Sequence, residues 1–272
     1  MNHTQRPAEL AKQPLALAPE LLNLDLDLNL GNLGSEIGQG HTETLSSDTS
    51  HTLFAPLHYE PGYSYPLIVW LHGPGNDERQ LVRIMPLVSM RNYVAVSPRG
   101  LPMPEISQST HSATAHSVAR GFTWSQSEAH IQVAQKRIFD CIHTAKQKFN
   151  IAPHRVFLAG FDCGGTMAFR VAMDHPERFA GVLSLGGAFP QGRTPFRNLT
   201  SIRRLPVFLA VGRDSEVYSP EAACHDLRLF HSAGMSITLR QFPFGHELAP
   251  QMLADIDRWV IDQITGAGKS EG

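Results

Sequence analysis

Short apolar runs alternate with amphipathic stretches along this chain from about residue 52 onward. The residue pattern predicts strands at 65–71, 93–97, 155–159, 181–185, 205–211 and 235–242. Apolar residues recur at helical spacing between Ile131 and Phe149 and from Met252 to Ile264, and helices are also predicted up to about residue 175 and over 220–233. Continuous apolar strands between amphipathic helices predict an α/β fold, with a mostly parallel central sheet and helices on both faces.

The first 50 residues differ in composition from the rest. Residues 21–30 alternate apolar and polar side chains, which by itself suggests a strand, but glycines and a polar run follow. We interpret residues 1–50 as a flexible low-complexity leader, with an edge strand or docking segment as the alternative. Residues 51–265 then form the folded domain and residues 266–272 a tail. Ser125 and Glu128 have the spacing of a capping box at a helix start.

Composition and charge exclude several classes of function. The formal net charge of −2 gives no basic footprint for nucleic acid, and no apolar run is long enough to span a bilayer. Three cysteines do not form a disulfide framework, and the first residues lack the order of a signal peptide, so we expect a cytoplasmic protein. His111, His116 and His130 lack the tight spacing of metal ligands, and we expect neither a metal nor a cofactor.

The most informative residue of the sequence is Asp162. It follows the apolar strand at 155–159 and lies between Gly160 and Gly164, just before a helix. A strand, a glycine-bounded turn and a helix are the context of the nucleophile elbow, G-x-S-x-G, in which the central residue is a serine. Here a carboxylate stands at that position.

Seven segments extend this resemblance along the chain. They are residues 71–77, 98–100, 121–124, 158–165, 179–186, 212–217 and 245–247. In this order the chain resembles the carboxylesterase/phospholipase (acyl-protein thioesterase-like) family of α/β-hydrolases. The resemblance implies the α/β-hydrolase fold for residues 51–265.

The same resemblance implies roles for individual residues. Asp214 matches the acid of the catalytic triad and His246 its histidine, so Asp162 and Asp214 are expected to flank the imidazole. Two backbone N–H groups form the oxyanion hole in the family, that of Cys163 and that of the residue after Gly73.

The second of these positions is Pro74, which has no N–H. Gly75 or Asn76 could supply a donor only if the loop shifts. Trp124 is expected either to line the pocket or to be a core aromatic residue. The side chain of Cys163 is expected to be buried and structural, since it lies one position after the nucleophile.

Two functions are compatible with these residues. The first is a hydrolase acting on a small molecule, in which Asp162 attacks an alkyl carbon or serves as general base, with Asp214 and His246 assisting. The second is a catalytically inactive α/β-hydrolase homologue that binds a ligand or a protein. The retained Asp214 and His246 favour the first function, whereas Asp162 and Pro74 together favour the second. No large cap domain fits between the strands, and residues 101–124 are the nearest candidate for a lid.

Overall fold

The computed structural model describes residues 41–45, 49–103, 121–192 and 199–266. In chain order the strands are β1 (His41–Leu45), β2 (Thr49–Phe54), β3 (Tyr65–Leu71), β4 (Val94–Pro98), β5 (Leu101–Pro102), β6 (Phe122–Thr123), β7 (Ile151–Phe161), β8 (Gly181–Leu185), β9 (Val207–Gly212) and β10 (Ile237–Phe242). The helices are α1 (Gln80–Val88), α2 (Glu128–Lys148), α3 (Cys163–Asp174), α4 (Leu199–Ile202), α5 (Pro220–Ser232) and α6 (Pro250–Gly266), with a 3₁₀ turn at Pro176–Arg178. The predictions for residues 21–30, His111, His116 and the tail after residue 266 lie outside the described residues.

One twisted sheet forms the centre of the described domain. Its strand order is β1-β2-β4-β3-β7-β8-β9-β10. The six strands from β4 to β10 are parallel, while β1 and β2 run antiparallel at one edge. This is the α/β architecture predicted from the sequence. Strands β5 and β6 form a separate two-stranded ribbon.

Alternate residues of the central strands face two hydrophobic layers, as the pleat requires. In β3, Leu67, Val69 and Leu71 pack in the layer that contains residues of α2, α3 and α5. Ile68 and Trp70 of the same strand pack in the layer that contains α1 and α6. Because both faces are covered, the strands are apolar throughout, and each fully buried aliphatic side chain contributes roughly 1.5–3 kcal/mol.

The sheet register brings three strand ends to one edge. Leu71 at the end of β3 lies opposite Gly160 of β7, and Phe161 lies opposite Leu185 of β8. In parallel α/β sheets the functional site forms beyond the carboxyl ends of the strands. The loops after β3, β7 and β8 therefore converge where the sequence places its candidate residues.

Two local predictions differ from the structure. The sheet already includes β1 and Thr49, ahead of the expected boundary at residue 51, because an edge strand needs only one pairing neighbour. The capping box is wrong: α2 begins at Glu128 after Ser127, without a side-chain cap. The Ser125 hydroxyl instead accepts a 3.4 Å hydrogen bond from the Ser127 N–H, which commits it to the preceding turn.

Candidate active site

Asp162 occupies a sharp turn between β7 and α3. Its backbone has φ of 52° and ψ of −121°, a conformation that residues with a side chain rarely adopt. The turn is held on both sides, because the Asp162 N–H donates to the Leu185 carbonyl at 2.9 Å and the Asp162 carbonyl accepts from Thr166 N–H at 3.0 Å. This geometry is the strained strand-to-helix turn of a nucleophile elbow.

The two elbow glycines are required by close backbone contact. A Cβ at Gly160 would lie 2.5 Å from the Gly164 backbone, and a Cβ at Gly164 would lie 2.3 Å from the Leu71 carbonyl oxygen. No larger side chain fits at either position without moving the helix away from the sheet. The close approach of α3 to both β7 and β3 therefore explains the glycine spacing seen in the sequence.

The elbow brings Asp162 and His246 into direct contact. The Asp162 Oδ2 atom lies 2.7 Å from His246 Nε2, and the two side chains are 23% and 16% exposed. The Phe161 ring lies against the imidazole, with ring centroids 5.3 Å apart. Because an ionised carboxylate only accepts hydrogen bonds, Nε2 carries the proton of this contact.

Ser215, and not Asp214, lies at the other nitrogen of the imidazole. Its Oγ atom is 3.2 Å from His246 Nδ1 and also accepts a 3.2 Å hydrogen bond from the Tyr218 N–H. Ser215 is 5% exposed. Ser215 was not predicted from the sequence, because a triad acid is a carboxylate and Asp214 in segment 212–217 matches that role.

The expected position of Asp214 beside the imidazole is wrong. Its carboxylate forms two hydrogen bonds with the adjacent Arg213, at 3.1 and 3.2 Å, and its side chain is 58% exposed. The hydrogen bond from Arg213 lowers the pKa of Asp214. The carboxylate that was predicted to be the triad acid therefore points to solvent and pairs with Arg213.

Backbone contacts between two loops explain which side chain reaches His246. A Cβ at Gly212 would lie 2.0 Å from the Gly245 carbonyl oxygen, so the loop after β9 lies directly on the loop after β10. The Asp214 N–H donates to the Phe244 carbonyl at 3.0 Å, and the Ser215 N–H donates to Gly212 at 3.3 Å. These bonds fix a tight turn that directs residue 215 inward.

The loop after β3 offers no free oxyanion donor among residues 73–76. Pro74 lacks an N–H, and the Gly73 N–H donates to the Gln80 side chain at 3.2 Å. The Gly75 N–H donates to the Phe122 carbonyl at 3.0 Å, and the Asn76 N–H lies 3.3 Å from the Gly73 carbonyl. If the N–H of Gly75 or Asn76 were to replace the donor that is missing at Pro74, it would first have to break its existing hydrogen bond.

His72 and Trp124 stabilise this loop from beneath. His72 is fully buried, its Nδ1 lies 2.8 Å from the Gly73 carbonyl, and its Nε2 accepts from the Gly100 N–H at 2.9 Å. Burial lowers the pKa of His72, so the ring is a neutral structural group. Trp124 is also buried and donates its indole N–H to the His72 carbonyl at 3.1 Å, which makes it a core aromatic residue.

Cys163 begins α3 and packs against the core layer beside the elbow. The Thr123 hydroxyl lies 3.5 Å from its sulfur. Burial raises the pKa of the Cys163 thiol, so the reactive thiolate is disfavoured. In the part of the chain that the structure describes, no group of three or more histidine, cysteine or acidic residues could hold a metal ion.

The fold and the site together define the class of α/β-hydrolases. The features that define it are the parallel sheet, the strained elbow at Asp162 and His246 on the last strand–helix loop. Within that class, residues 63–263 match the phospholipase/carboxylesterase family, and the chain belongs to this family. Across the ranges described above, no helix is long and apolar enough to cross a membrane.

Known proteins resemble parts of the chain to different degrees. A putative esterase, NocK, from Nocardia uniformis subsp. tsuyamanensis is 27% identical over 167 residues, which cover 56% of this chain and 43% of that protein. The chain thus matches less than half of that relative. A Mesorhizobium loti carboxylesterase aligns with a TM-score of 0.63 at 17% identity, covering 81% of this chain and 98% of that structure. Acyl-protein thioesterase 2 from Zea mays aligns with a TM-score of 0.59 at 15% identity, covering 78% of this chain and 98% of that structure. At these identities the structures show a shared fold.

Proposed function

We propose that this chain is a hydrolase in which Asp162 and His246 form the reacting pair. The observation that carries the proposal is the 2.7 Å contact of Asp162 Oδ2 with His246 Nε2 at a strained elbow. Both side chains are partly exposed, so a small-molecule substrate can reach the carboxylate. A cytoplasmic location stays a prediction.

Hydrolysis through a serine-type acyl-enzyme is disfavoured by this geometry. In serine hydrolases the histidine accepts the nucleophile's proton at Nε2. Here Nε2 already carries a proton that it donates to Asp162. The N–H groups of Gly73, Gly75 and Asn76 are committed elsewhere, and Pro74 has none, so a tetrahedral oxyanion lacks one of its two usual donors.

A carboxylate nucleophile fits the same geometry better. Oδ2 of Asp162 is held by His246, which leaves Oδ1 to attack an electrophilic sp³ carbon. In that step Oδ1 forms a bond to carbon, and the leaving group departs with the electron pair of the broken bond. No tetrahedral oxyanion forms at an acyl carbon in this step, so the donor that is missing at Pro74 is not required here. A halide leaves as the free anion, and an epoxide oxygen leaves as an alkoxide that takes a proton from water.

Water then completes the reaction. Esterification removes the charge of Asp162, so exchange with solvent can move the proton of His246 from Nε2 to Nδ1. The water attacks Cγ of the Asp162 ester while Nε2 takes one of its protons, and the oxyanion faces the Cys163 N–H. Collapse of this intermediate releases the alcohol, which takes the proton from His246. Asp162 is left as a carboxylic acid with one oxygen from water, and it loses the remaining water proton to solvent to restore the carboxylate.

A second candidate is a homologue that binds a ligand without catalysis. The specific observation in its favour is the incomplete oxyanion loop around Pro74. In that case the contact between Asp162 and His246 would orient a ligand instead of reacting with it.

Isotope labelling distinguishes these mechanisms. The protein in excess is incubated in H₂¹⁸O with 1-bromobutane, styrene oxide or p-nitrophenyl butyrate, and Asp162→Asn is the matched control. With 1-bromobutane and styrene oxide we expect ¹⁸O in the peptide containing Asp162 and ¹⁶O in the first alcohol released, whereas p-nitrophenyl butyrate should be hydrolysed only at the background rate. Label that enters the product directly would instead identify a general base. If the protein binds these compounds but turns over none of the three, the result would favour the non-catalytic homologue.

A further inference from the structure

From the contacts around His246 we infer that Ser215 replaces the triad acid and sets the tautomer of the imidazole. The carboxylate and the hydroxyl have thus exchanged places relative to a serine hydrolase, with Asp162 at Nε2 and Ser215 at Nδ1. The catalytic consequence rests on the proposed function, whereas the placement rests on geometry alone.

The hydrogen bonds around Ser215 determine the direction of its hydroxyl. Oγ accepts the Tyr218 N–H at 3.2 Å, and Nδ1 of His246 lies 3.2 Å away. The proton on Nε2 is committed to Asp162, so Nδ1 of a neutral ring has a lone pair and accepts the Ser215 O–H. The contacts therefore select the Nε2–H tautomer of the neutral ring, the reverse of the one that a serine hydrolase requires.

Burial supports a positioning role for Ser215. At 5% exposure its hydroxyl cannot reach a substrate on the open side of the site. The tight turn after β9, held by the Ser215 N–H to Gly212 and the Asp214 N–H to Phe244, keeps the side chain directed at the ring. A buried hydroxyl with fixed neighbours restricts rotation of the imidazole.

A hydroxyl at Nδ1 can do what a carboxylate cannot. It donates to a bare Nδ1 but also accepts from a protonated one. When Asp162 becomes an ester it loses its charge, and Nε2 no longer faces an anion. Nε2 can then release its proton to solvent while Nδ1 takes one up, with Ser215 as acceptor, and Nε2 is free to accept a proton from the attacking water. Ser215 thus allows the base to form only after the first step.

Nitrogen NMR of the ring tests this inference without any substrate. Protein labelled with ¹⁵N-histidine is measured at about pH 7.5, and His246→Gln assigns the signals. We expect a protonated Nε2 and an unprotonated, hydrogen-bonded Nδ1 for His246. The His72 ring is an internal reference of the opposite tautomer, because its Nε2 accepts the Gly100 N–H.

Three variants separate Ser215 from Asp214. Ser215→Ala should move the Nδ1 signal of His246 while the His72 signals stay in place, which shows that the fold is kept. Ser215→Asp should raise the pH midpoint at which His246 takes up its second proton by about one unit, or tenfold in proton affinity, because it adds an anion beside Nδ1. Asp214→Asn should change neither the Nδ1 nor the Nε2 signal of His246.

Two results would overturn the inference. One is a wild-type spectrum with a protonated Nδ1 and a bare Nε2 at about pH 7.5. The other is a shift of the His246 signals in Asp214→Asn but not in Ser215→Ala. Neither result depends on turnover, so failure of the proposed hydrolase activity would leave this test intact.

Discussion

Moving the carboxylate and the hydroxyl to the positions that serine hydrolases use should create esterase activity. Asp162→Ser alone supplies an Oγ at the elbow, but Ser215 then leaves the histidine without an acid. We expect at most weak hydrolysis of p-nitrophenyl butyrate by this variant. Adding Ser215→Asp places an anion at Nδ1, where the hydroxyl now lies 3.2 Å from the ring. The new carboxylate can also accept the Tyr218 N–H, so it is not left unpaired.

The expected gains follow from the roles of the two groups. An acid that enforces the correct histidine tautomer is worth about 10⁴ in kcat in a serine protease, which sets the upper limit for Ser215→Asp. Pro74→Leu restores one backbone N–H and should add about 10²- to 10³-fold, since that is the usual cost of losing one oxyanion donor. The triple variant should therefore be the most active of the series.

Steady-state kcat/KM and the burst of p-nitrophenolate give the measurement, and circular dichroism confirms folding. The matched control is Asp162→Ser with Asp214→Asn, which should equal Asp162→Ser because Asp214 pairs with Arg213. A loss of activity in that control relative to Asp162→Ser, with no gain from Ser215→Asp, would refute the assignment of the acid position to Ser215. In that case Asp214 would supply the acid in solution.

Three further predictions concern the unmodified site and its support. The wild-type protein should hydrolyse p-nitrophenyl acetate and butyrate at no more than the background rate of Asp162→Asn in a spectrophotometric assay. Burial lowers the pKa of His72, so below about pH 6.5 the unfolded chain binds more protons than the folded protein. The free energy of unfolding in urea should therefore fall as the pH drops through that range, and less so in His72→Gln. Iodoacetamide should modify exposed Cys224 before Cys163, because burial raises the pKa of the Cys163 thiol; peptide mass spectrometry measures the order.

The central fold was predictable because parallel strands buried on both faces have a simple pattern. Residues 65–71 form β3 within the bounds read from the sequence, and the helix at 220–233 differs from α5 by one residue. Helix α1 was not predicted, and Pro86 interrupts its pattern of good helix formers. Strand β1 was also missed, because polar residues at an edge give no apolar run.

The candidate site was predictable only where backbone geometry restricts residue type. Gly160 and Gly164 mark the elbow since no Cβ fits there, and the sequence spacing alone located Asp162 between them. Ser215 gave no such signal. Its approach to His246 depends on hydrogen bonds between the loops after β9 and β10, which no local pattern encodes. The hydrogen bonds of the N–H groups around Pro74 could not be predicted either, because the sequence does not show that Gly75 donates to the distant Phe122 or that Gly73 donates to the Gln80 side chain.

Two residues differ from a serine hydrolase, Asp162 at the nucleophile position and Pro74 at an oxyanion-donor position. They affect different steps of the proposed reaction, which leads to a kinetic prediction. Attack of the carboxylate on an sp³ carbon forms no tetrahedral oxyanion at an acyl carbon, so the first step tolerates the missing N–H. Hydrolysis of the resulting ester does form one, and only the Cys163 side of the hole remains. We therefore expect the second step to limit turnover and an alkyl ester on Asp162 to accumulate.

Intact-mass spectrometry after mixing with 1-bromobutane should show one butyl adduct, which peptide mapping places on Asp162. Pro74→Leu should lower the steady-state adduct and raise turnover together, because it restores a donor for the second step alone. Asp162→Asn should form no adduct. Turnover without any adduct, unchanged by Pro74→Leu, would contradict this division of the two steps, because a limiting second step must leave the ester on the protein.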